Sequence, residues 1–568
     1  MKKPLTISNP YLKLSLSIVL VVVAAWLLSV YFFRIDLTSE KRYTLSQFSK
    51  KTLRELDTVV VVKVYLDGDL NIPFRKMQQR LRETLEEFQV YSGSKLEYEI
   101  INPFKGKDAK AVDKNLDELI SKGLKPTNIL AKDKEGGTSE KLVLPGALIY
   151  YKGLETPVNL LKNNPAAGAE ENINNSIQAF EFEFIRIISS LSAGSVEKIA
   201  FIEGHGEYNE FQVGDITREL GWYFQVDRGK INGTPGILNQ YKAVVIAGPT
   251  LPFSEQDKFV LDQYLMEGGR VLWFVDMVNA SLDSIKEGGA TIALIRMLNI
   301  EDLLFRYGAR INPVLVQDGQ CSMIPVNLAL AGNPPDFRPV PWLYSPLLNA
   351  PSNHPVTRNL NMIRSEFSGC IDTIEARKGI RKTALLSTSQ VSRKVAAPVI
   401  IGLEEVRIPL KPEMFMEPFL PVAVLLEGRF ESVFRNRSTS DLFPDTLVNF
   451  KETGAPASVF VAADADLIRN EFRPTPNGMM ITPLGFDRYT QQTYGNKEFI
   501  VNAIQYMTGH EGLIRLRSRD FRLRLLDKAT IKSDRRKWTL INTLIPPLLV
   551  ILAGVIYAWI RKRKYGRA

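Results

Sequence analysis

Residues 241–276 read YKAVVIAGPTLPFSEQDKFVLDQYLMEGGRVLWFVD, a strand, a helix and a second strand in close succession. Ala243 to Ala247 is a short unbroken apolar run ended by Gly248-Pro249, the mark of a strand buried on both faces. Ser254 stands at a helix N-cap and Glu255 and Asp257 suit the positive end of the helix dipole. Phe259, Val260, Gln263, Tyr264 and Met266 then keep a helical period as far as Gly268-Gly269. Val271 to Val275 follows as a second buried strand. Two such strands joined by one crossover helix make a right-handed parallel unit, so the surrounding domain is expected to be α/β, with helices on both faces of its sheet.

The pattern extends outward on both sides. Upstream, Ile199 to Ile202 reads as a strand, EGHGE at 203–207 as a tight turn, Phe211 to Leu220 as a helix and Tyr223 to Val226 as another strand. Downstream, the period breaks into short strands (Ile311 to Val316, Thr383 to Leu386, Val422 to Leu426) and proline-rich loops such as NPPDFRPVPW. This makes 277–456 a β-rich insertion on the edge of the sheet, which resumes at Ser458 to Ala462 and ends with a helix over Lys497 to Met507. The expectation is a doubly wound, flavodoxin-like or class I amidotransferase-like domain over 197–512.

A smaller unit precedes it. In 36–162, Thr44 or Ser46 caps a first helix, Val59 to Leu66 is a strand, and Pro73 opens a helix with Phe74, Met77, Leu81, Leu85 and Phe88 on one face. Strand Leu96 to Ile101, a polar helix near Ala111 to Lys122 and two strands around Lys152-Gly153 complete a thioredoxin-like α/β layout. No Cys-x-x-Cys accompanies it, so redox chemistry is not implied. Asn163 to Glu171 is a composition break within a linker and packing helix over 163–196, whose apolar face is Ile173, Ile177, Phe180, Phe184 and Ile187-Ile188.

Two uncharged apolar stretches, Leu14 to Phe33 and Trp538 to Ile560, lie near the ends of the 568 residues, and each is long enough to cross a membrane, giving expected anchors over 12–33 and 538–560. Phe32-Phe33-Arg34 is no small-residue cleavage site, so the first reads as an uncleaved anchor. Much of the net charge of +10 sits beside the second anchor, in 513–537 and in Arg561 to Lys564, where it suits anionic membrane lipids rather than nucleic acid. Short tails obey the positive-inside rule, so both termini are expected in the cytoplasm and the large domain outside a bacterial inner membrane. The two cysteines, Cys321 and Cys370, exclude a disulfide-framed domain and a cysteine zinc site.

In open α/β sheets ligands collect at the carboxyl ends of the strands. The polar residues falling there are Glu203, His205 and Glu207 after the first strand, Asp276 after the fourth, and Asp464 and Asp466 after the last. Such a set suits a ligand or partner crevice. The same residues also suit tight turns and helix caps, and on that reading no catalytic residue, metal or cofactor is assigned. His205-Gly206-Glu207 resembles the His-x-Glu of class I glutamine amidotransferases, but Gly319-Gln320-Cys321-Ser322-Met323 comes later in the chain and lacks the second glycine of a nucleophile elbow. No G-x-x-x-x-G-K-[ST] phosphate loop occurs.

Further stretches point to one family: DLTSEKRYTLS at 36–46, FIEGHGE at 201–207, AGPTLPFSEQDKFVLDQYLMEGGRVLWFVD at 247–276, VAVLLEGRFES at 422–432, the Asp464-Ala465-Asp466 turn, and WTLINTLIPPLLVILAGVIYAWIRKRK at 538–564. In this order, between paired anchors, they resemble the GldG family of gliding-motility ABC transporter components, within the wider family of ABC transporter auxiliary components. The resemblance implies a non-enzymatic subunit that assembles with a permease, GldF, and with an ATPase, GldA, which carries the missing phosphate loop. It also implies a role in gliding motility and its associated secretion, and it carries over no binding residues. A periplasmic ligand-binding module and an amidotransferase-like hydrolase are the alternatives.

Overall fold

The computed structural model describes residues 10–30, 44–105, 109–132, 138–162, 169–192, 196–329, 334–351, 353–374, 379–407, 411–437, 442, 450–476, 478–517 and 528–565. It is a mixed α/β structure in two compact units, Met1–Arg519 and Asp520–Ala568.

In the first unit, helix α1 (Pro10–Val30) presents the exposed apolar stretch Leu14–Val23. Of the expected anchor over 12–33, Tyr31 to Phe33 lie outside the described residues. Ser46 caps α2 (Gln47–Arg54), its hydroxyl accepting from Ser49 N–H. Strand β1 (Val60–Val64) leads to α3 (Ile72–Tyr91), where Asn71 caps Phe74 N–H and all five predicted apolar positions are buried. Strand β2 (Leu96–Ile100) lies parallel to β1. After α4 (Ala109–Ser121) comes a hairpin, β3 (Thr127–Lys132) and β4 (Thr138–Val143), which the sequence reading did not contain. A second hairpin, β5 (Gly146–Tyr151) and β6 (Leu154–Asn159), completes a sheet in the order β2-β1-β5-β6, with β5 antiparallel to β1. Helix α5 (Ala169–Ser192) closes this core, with Phe88 and Phe184 edge to face at 6.3 Å.

The larger sheet starts with β7 (Lys198–Glu203), followed by α6 (Gly214–Leu220), β8 (Gln225–Lys230), β9 (Ala243–Ala247), α7 (Glu255–Met266) and β10 (Arg270–Phe274). Helix α6 starts three residues later than the periodicity suggests because Asn209 first forms a turn, accepting from Phe211 and Gln212 N–H. Strand β8 is displaced beyond Tyr223–Val226, and Phe224 packs into the core instead of pairing. Every residue of β9 is buried, with Val245 and Ala247 in one core layer and Val244 and Ile246 in the other. The seven strands run in the order 380–387, 421–431, 453–462, β10, β9, β7, β8. The last five are mutually parallel and the strand 421–431 is antiparallel to 453–462.

That order corrects the insertion. Residues 277–456 are not wholly an excursion, because Ile380–Ser387 and Pro421–Glu431 are hydrogen-bonded into the sheet itself. The strands within 278–373 and 392–402 form separate small sheets, over a core containing Trp342, Tyr344 and Phe367. The domain end at 512 also moves. Helix Glu511–Arg517 buries Leu513, Ile514 and Leu516, and Arg517 donates to Asn502 Oδ1 at 3.0 Å and to the Tyr223 hydroxyl at 2.8 Å. The first part of the expected lipid-facing basic segment is therefore folded into the body.

In the second unit, helix Lys528–Tyr565 runs through Pro546 and Pro547. Its portion Lys537–Arg563 is long and apolar enough to cross a membrane.

Candidate functional site

Strand β7 ends against a reversal that only glycine-rich backbone makes easily: Gly204 and Gly206 hold φ of +120° and +74°, and a Cβ on Gly206 would collide with Thr250 Oγ1. The turn aims His205 inward, where it is 6% exposed and stacked on Phe253 at 3.7 Å. Both of its ring nitrogens meet a carboxylate: Nδ1 lies 3.0 Å from Glu207 Oε1 and Nε2 3.1 Å from Asp257 Oδ2. Glu207 also accepts from the His205 N–H at 2.6 Å, and Asp257, in the first turn of α7, accepts from Gly233 N–H and the Ser254 hydroxyl. Burial opposes a charge on the imidazole, but Glu207 and Asp257 outweigh it and hold its pKa above the ordinary value.

While the imidazole is protonated both nitrogens donate, and no lone pair is free to act as a general base. The arrangement is a clasp between the β7 turn and helix α7. Removing it leaves two carboxylates short of a donor, so His205→Ala should destabilise the protein by about 2–3 kcal/mol. The sign with pH follows from the raised pKa: the stabilisation is complete below the unfolded value of 6.5 and fades as pH rises through the folded one. Urea unfolding at pH 5.5 and 8.5 should therefore show a larger gap between wild type and His205→Ala at the lower pH. Equal gaps would remove the doubly bonded imidazolium.

The second group gathers at the ends of β10 and strand 453–462. Asp276 Oδ1 accepts from Ala465 N–H at 2.8 Å, and Asp464 accepts from Asp466 N–H at 2.7 Å and Glu366 N–H at 3.0 Å. Asp466 Oδ1 receives the Tyr208 hydroxyl at 3.0 Å and Arg469 Nη1 at 2.9 Å. Burial, reinforced by the charge of Asp466, pushes Asp276 up to about 7 and Asp464 well above the usual carboxylate range.

Glu203 joins neither group, because it pairs with Arg228 at 2.7 Å. Arg228 in turn donates to Tyr208 O at 2.8 Å, so residues 203–208 bridge the two clusters. Three of the residues that build these clusters, Asp257, Tyr208 and Arg469, were not among the predicted ones. The sequence marks Asp257 only as a helix-start acid, and nothing in the spacing pairs position 205 with 257 or 208 with 466. Cys321 lies on a separate strand, Cys321–Asn327, and burial pushes its thiol up to about 11, opposite to an activated nucleophile. Cys321 and Cys370 are both free thiols. Among the described residues no group of three or more His, Cys, Asp or Glu side chains is arranged to hold a metal ion.

Residues 197–503 match the model of the ABC transporter auxiliary family, described as an ABC-type uncharacterized transport system. Residues 39–150 match a domain of unknown function. No curated protein matches the chain. Among solved structures, the mmIFT52 N-terminal domain aligns at 15% identity and a TM-score of 0.31, covering 55% of this chain and 97% of that one. Exo-beta-1,4-mannosidase Op5Man5 from Opitutaceae bacterium strain TAV5 aligns at 9% identity and a TM-score of 0.17, covering 61% of this chain and 42% of that one. At these scores neither likeness bears on the fold or function of this chain.

Proposed function

The chain belongs to the ABC transporter auxiliary family, whose members are accessory to ABC-type transport systems, and from that membership we propose that it is a non-enzymatic, membrane-anchored subunit assembling with a permease and an ATPase. The observation that carries the reading is the match of 197–503, which takes in the whole parallel part of the large sheet. A C-terminal helix of membrane-crossing length fits it. The crevice residues favour structure or partner contact over chemistry: His205 is clasped on both nitrogens, Asp466 is held by Tyr208 and Arg469, and the thiol of Cys321 is poorly ionised.

In its finer form the proposal is a GldG-type component acting with GldF and GldA in gliding motility and associated secretion. Helices over both faces of the parallel strands support the doubly wound reading of the large domain, and the order β2-β1-β5-β6 supports the thioredoxin-like reading of the small one. Affinity purification of the chain from its native membrane is expected to bring down a permease and an ATP-binding subunit. Recovery of the folded chain with neither would sink the proposal.

Two spanning helices with the large domain periplasmic complete it. Long translocated domains are largely indifferent to their own charge, whereas RKRKYGR after the second anchor favours the cytoplasm. Protease added to intact spheroplasts should degrade the large domain and spare a tag at Ala568. A spared domain with a digested tag would invert the topology.

A further inference from the structure

We propose that a cleft beside the aspartate cluster binds a small organic or inorganic anion through Arg364 and Arg488. The cleft holds about 260 Å³, and its lining sets Arg364, Arg469, Arg473 and Arg488 against the carboxylates Asp283, Glu366, Asp466 and Glu471. It lies at the carboxyl end of strand 453–462, where open α/β sheets place ligands.

Its arginines divide into two kinds. Arg469 is satisfied inside the protein, with Nη1 2.9 Å from Asp466 Oδ1 and its charge held firmly by that carboxylate. Arg364 and Arg488 are only partly so, each pairing with one carboxylate and Arg488 also bonding to Tyr489. The Nε of each is buried and meets no acceptor among the described residues. Their ion pairs, Arg364 with Glu366 at 3.7 Å and Arg488 with Glu471 at 3.8 Å, are longer than hydrogen bonds. Arg364 is only 16% exposed, so water does little to satisfy it. A buried donor without an acceptor is costly, and its presence in a folded protein calls for an explanation.

The position of Arg364 is fixed rather than incidental. Asn496 accepts from its N–H at 3.0 Å and donates to its carbonyl at 2.8 Å, pinning the backbone from the helix 496–507. The planar guanidinium fork of an arginine matches the two oxygens of a carboxylate or phosphate. The rings of Phe472 and Tyr489 on the same lining offer contact to the carbon skeleton of an organic anion. The volume, at the lower limit of small-molecule sites, restricts the ligand to a small one. Binding here goes beyond the accessory role and does not depend on it.

Isothermal titration of the full-length protein in detergent with inorganic phosphate and, separately, with succinate separates the two anion chemistries. Saturable binding of at least one is expected, weakened about 10-fold or more in Arg364→Gln and in Arg488→Gln. Arg310→Gln, outside the cleft, should bind as wild type does. If either cleft variant fails to fold, Arg473→Gln, whose side chain is exposed on the lining, is expected to weaken binding as well. Absence of saturable binding by both probes, or binding that the cleft substitutions leave unchanged, would overturn the assignment.

Discussion

Replacing Gly268 and Gly269 together with valine should lower the stability of the protein by about 2–5 kcal/mol, from roughly 1–2 for the left-handed backbone and 1–3 for overpacking. The two glycines end helix α7 in different ways. Gly268 holds φ at +93° and its N–H donates to Leu265 O at 3.0 Å, while the Gly269 N–H reaches back to Tyr264 O at 2.9 Å. This pair of bonds is the Schellman closure, and it requires a left-handed residue where Gly268 stands. Gly269 has ordinary φ but no room, since a Cβ there would lie 2.5 Å from Tyr264 Cζ. Tyr264 cannot easily yield, because it is buried and its hydroxyl donates to Tyr241 O at 3.0 Å. Both ends of the strand-helix-strand unit are thus fixed through one tyrosine. Gly229→Ala, where a Cβ meets nothing within 4 Å, serves as the control and should be near neutral in urea unfolding. A double variant whose midpoint matched the control would refute the strain argument.

The central unit was legible because its signals are local. A fully apolar run, a capping serine and a Gly-Gly stop each act within a few residues, and Ser254, β9 and β10 stand where the pattern puts them. The amphipathic face of α3 was legible for the same reason. What escaped depends on distant pairing. Pro421–Glu431 reads like the other short strands of the region until strand 453–462 is beside it, and only then do Ala423 and Val424 have partners in Ala462 and Val461. Strand β4, TSEKLV, carries charge and no apolar run, so its pairing with β3 leaves little trace in composition.

The site divides along the same line. The glycines around His205 announced a tight turn, and Glu207 is two residues away, so half of the clasp was visible. The other half, Asp257, lies on another element, as does the Arg469 and Tyr208 support of Asp466. Arg364 gave no signal at all: a single arginine in a proline-rich region becomes distinctive only when its Nε is seen to be buried without an acceptor.

Asp276→Asn should stabilise the protein at pH 8 by up to about 4 kcal/mol, taking 1.36 kcal/mol for each pH unit between the unfolded and folded pKa. Burial and the neighbouring charge of Asp466 raise Asp276 from 3.8 to about 7, so the folded protein holds this proton where the unfolded chain has released it. Stability from this group is therefore complete below pH 3.8 and falls as pH rises to about 7, above which the folded state carries a poorly solvated charge. Asparagine removes that charge and keeps an oxygen to accept from Ala465 N–H. Wild type and variant should be nearly equal in urea at pH 4 and diverge steadily up to pH 7–8. Parallel profiles across that range would show that Asp276 ionises freely in the folded state. Divergence would mean that this aspartate weakens the fold at neutral pH, at the carboxyl ends of the strands and beside the arginine-lined cleft. A side chain that the fold would be steadier without is better explained by what the crevice contacts than by how it folds.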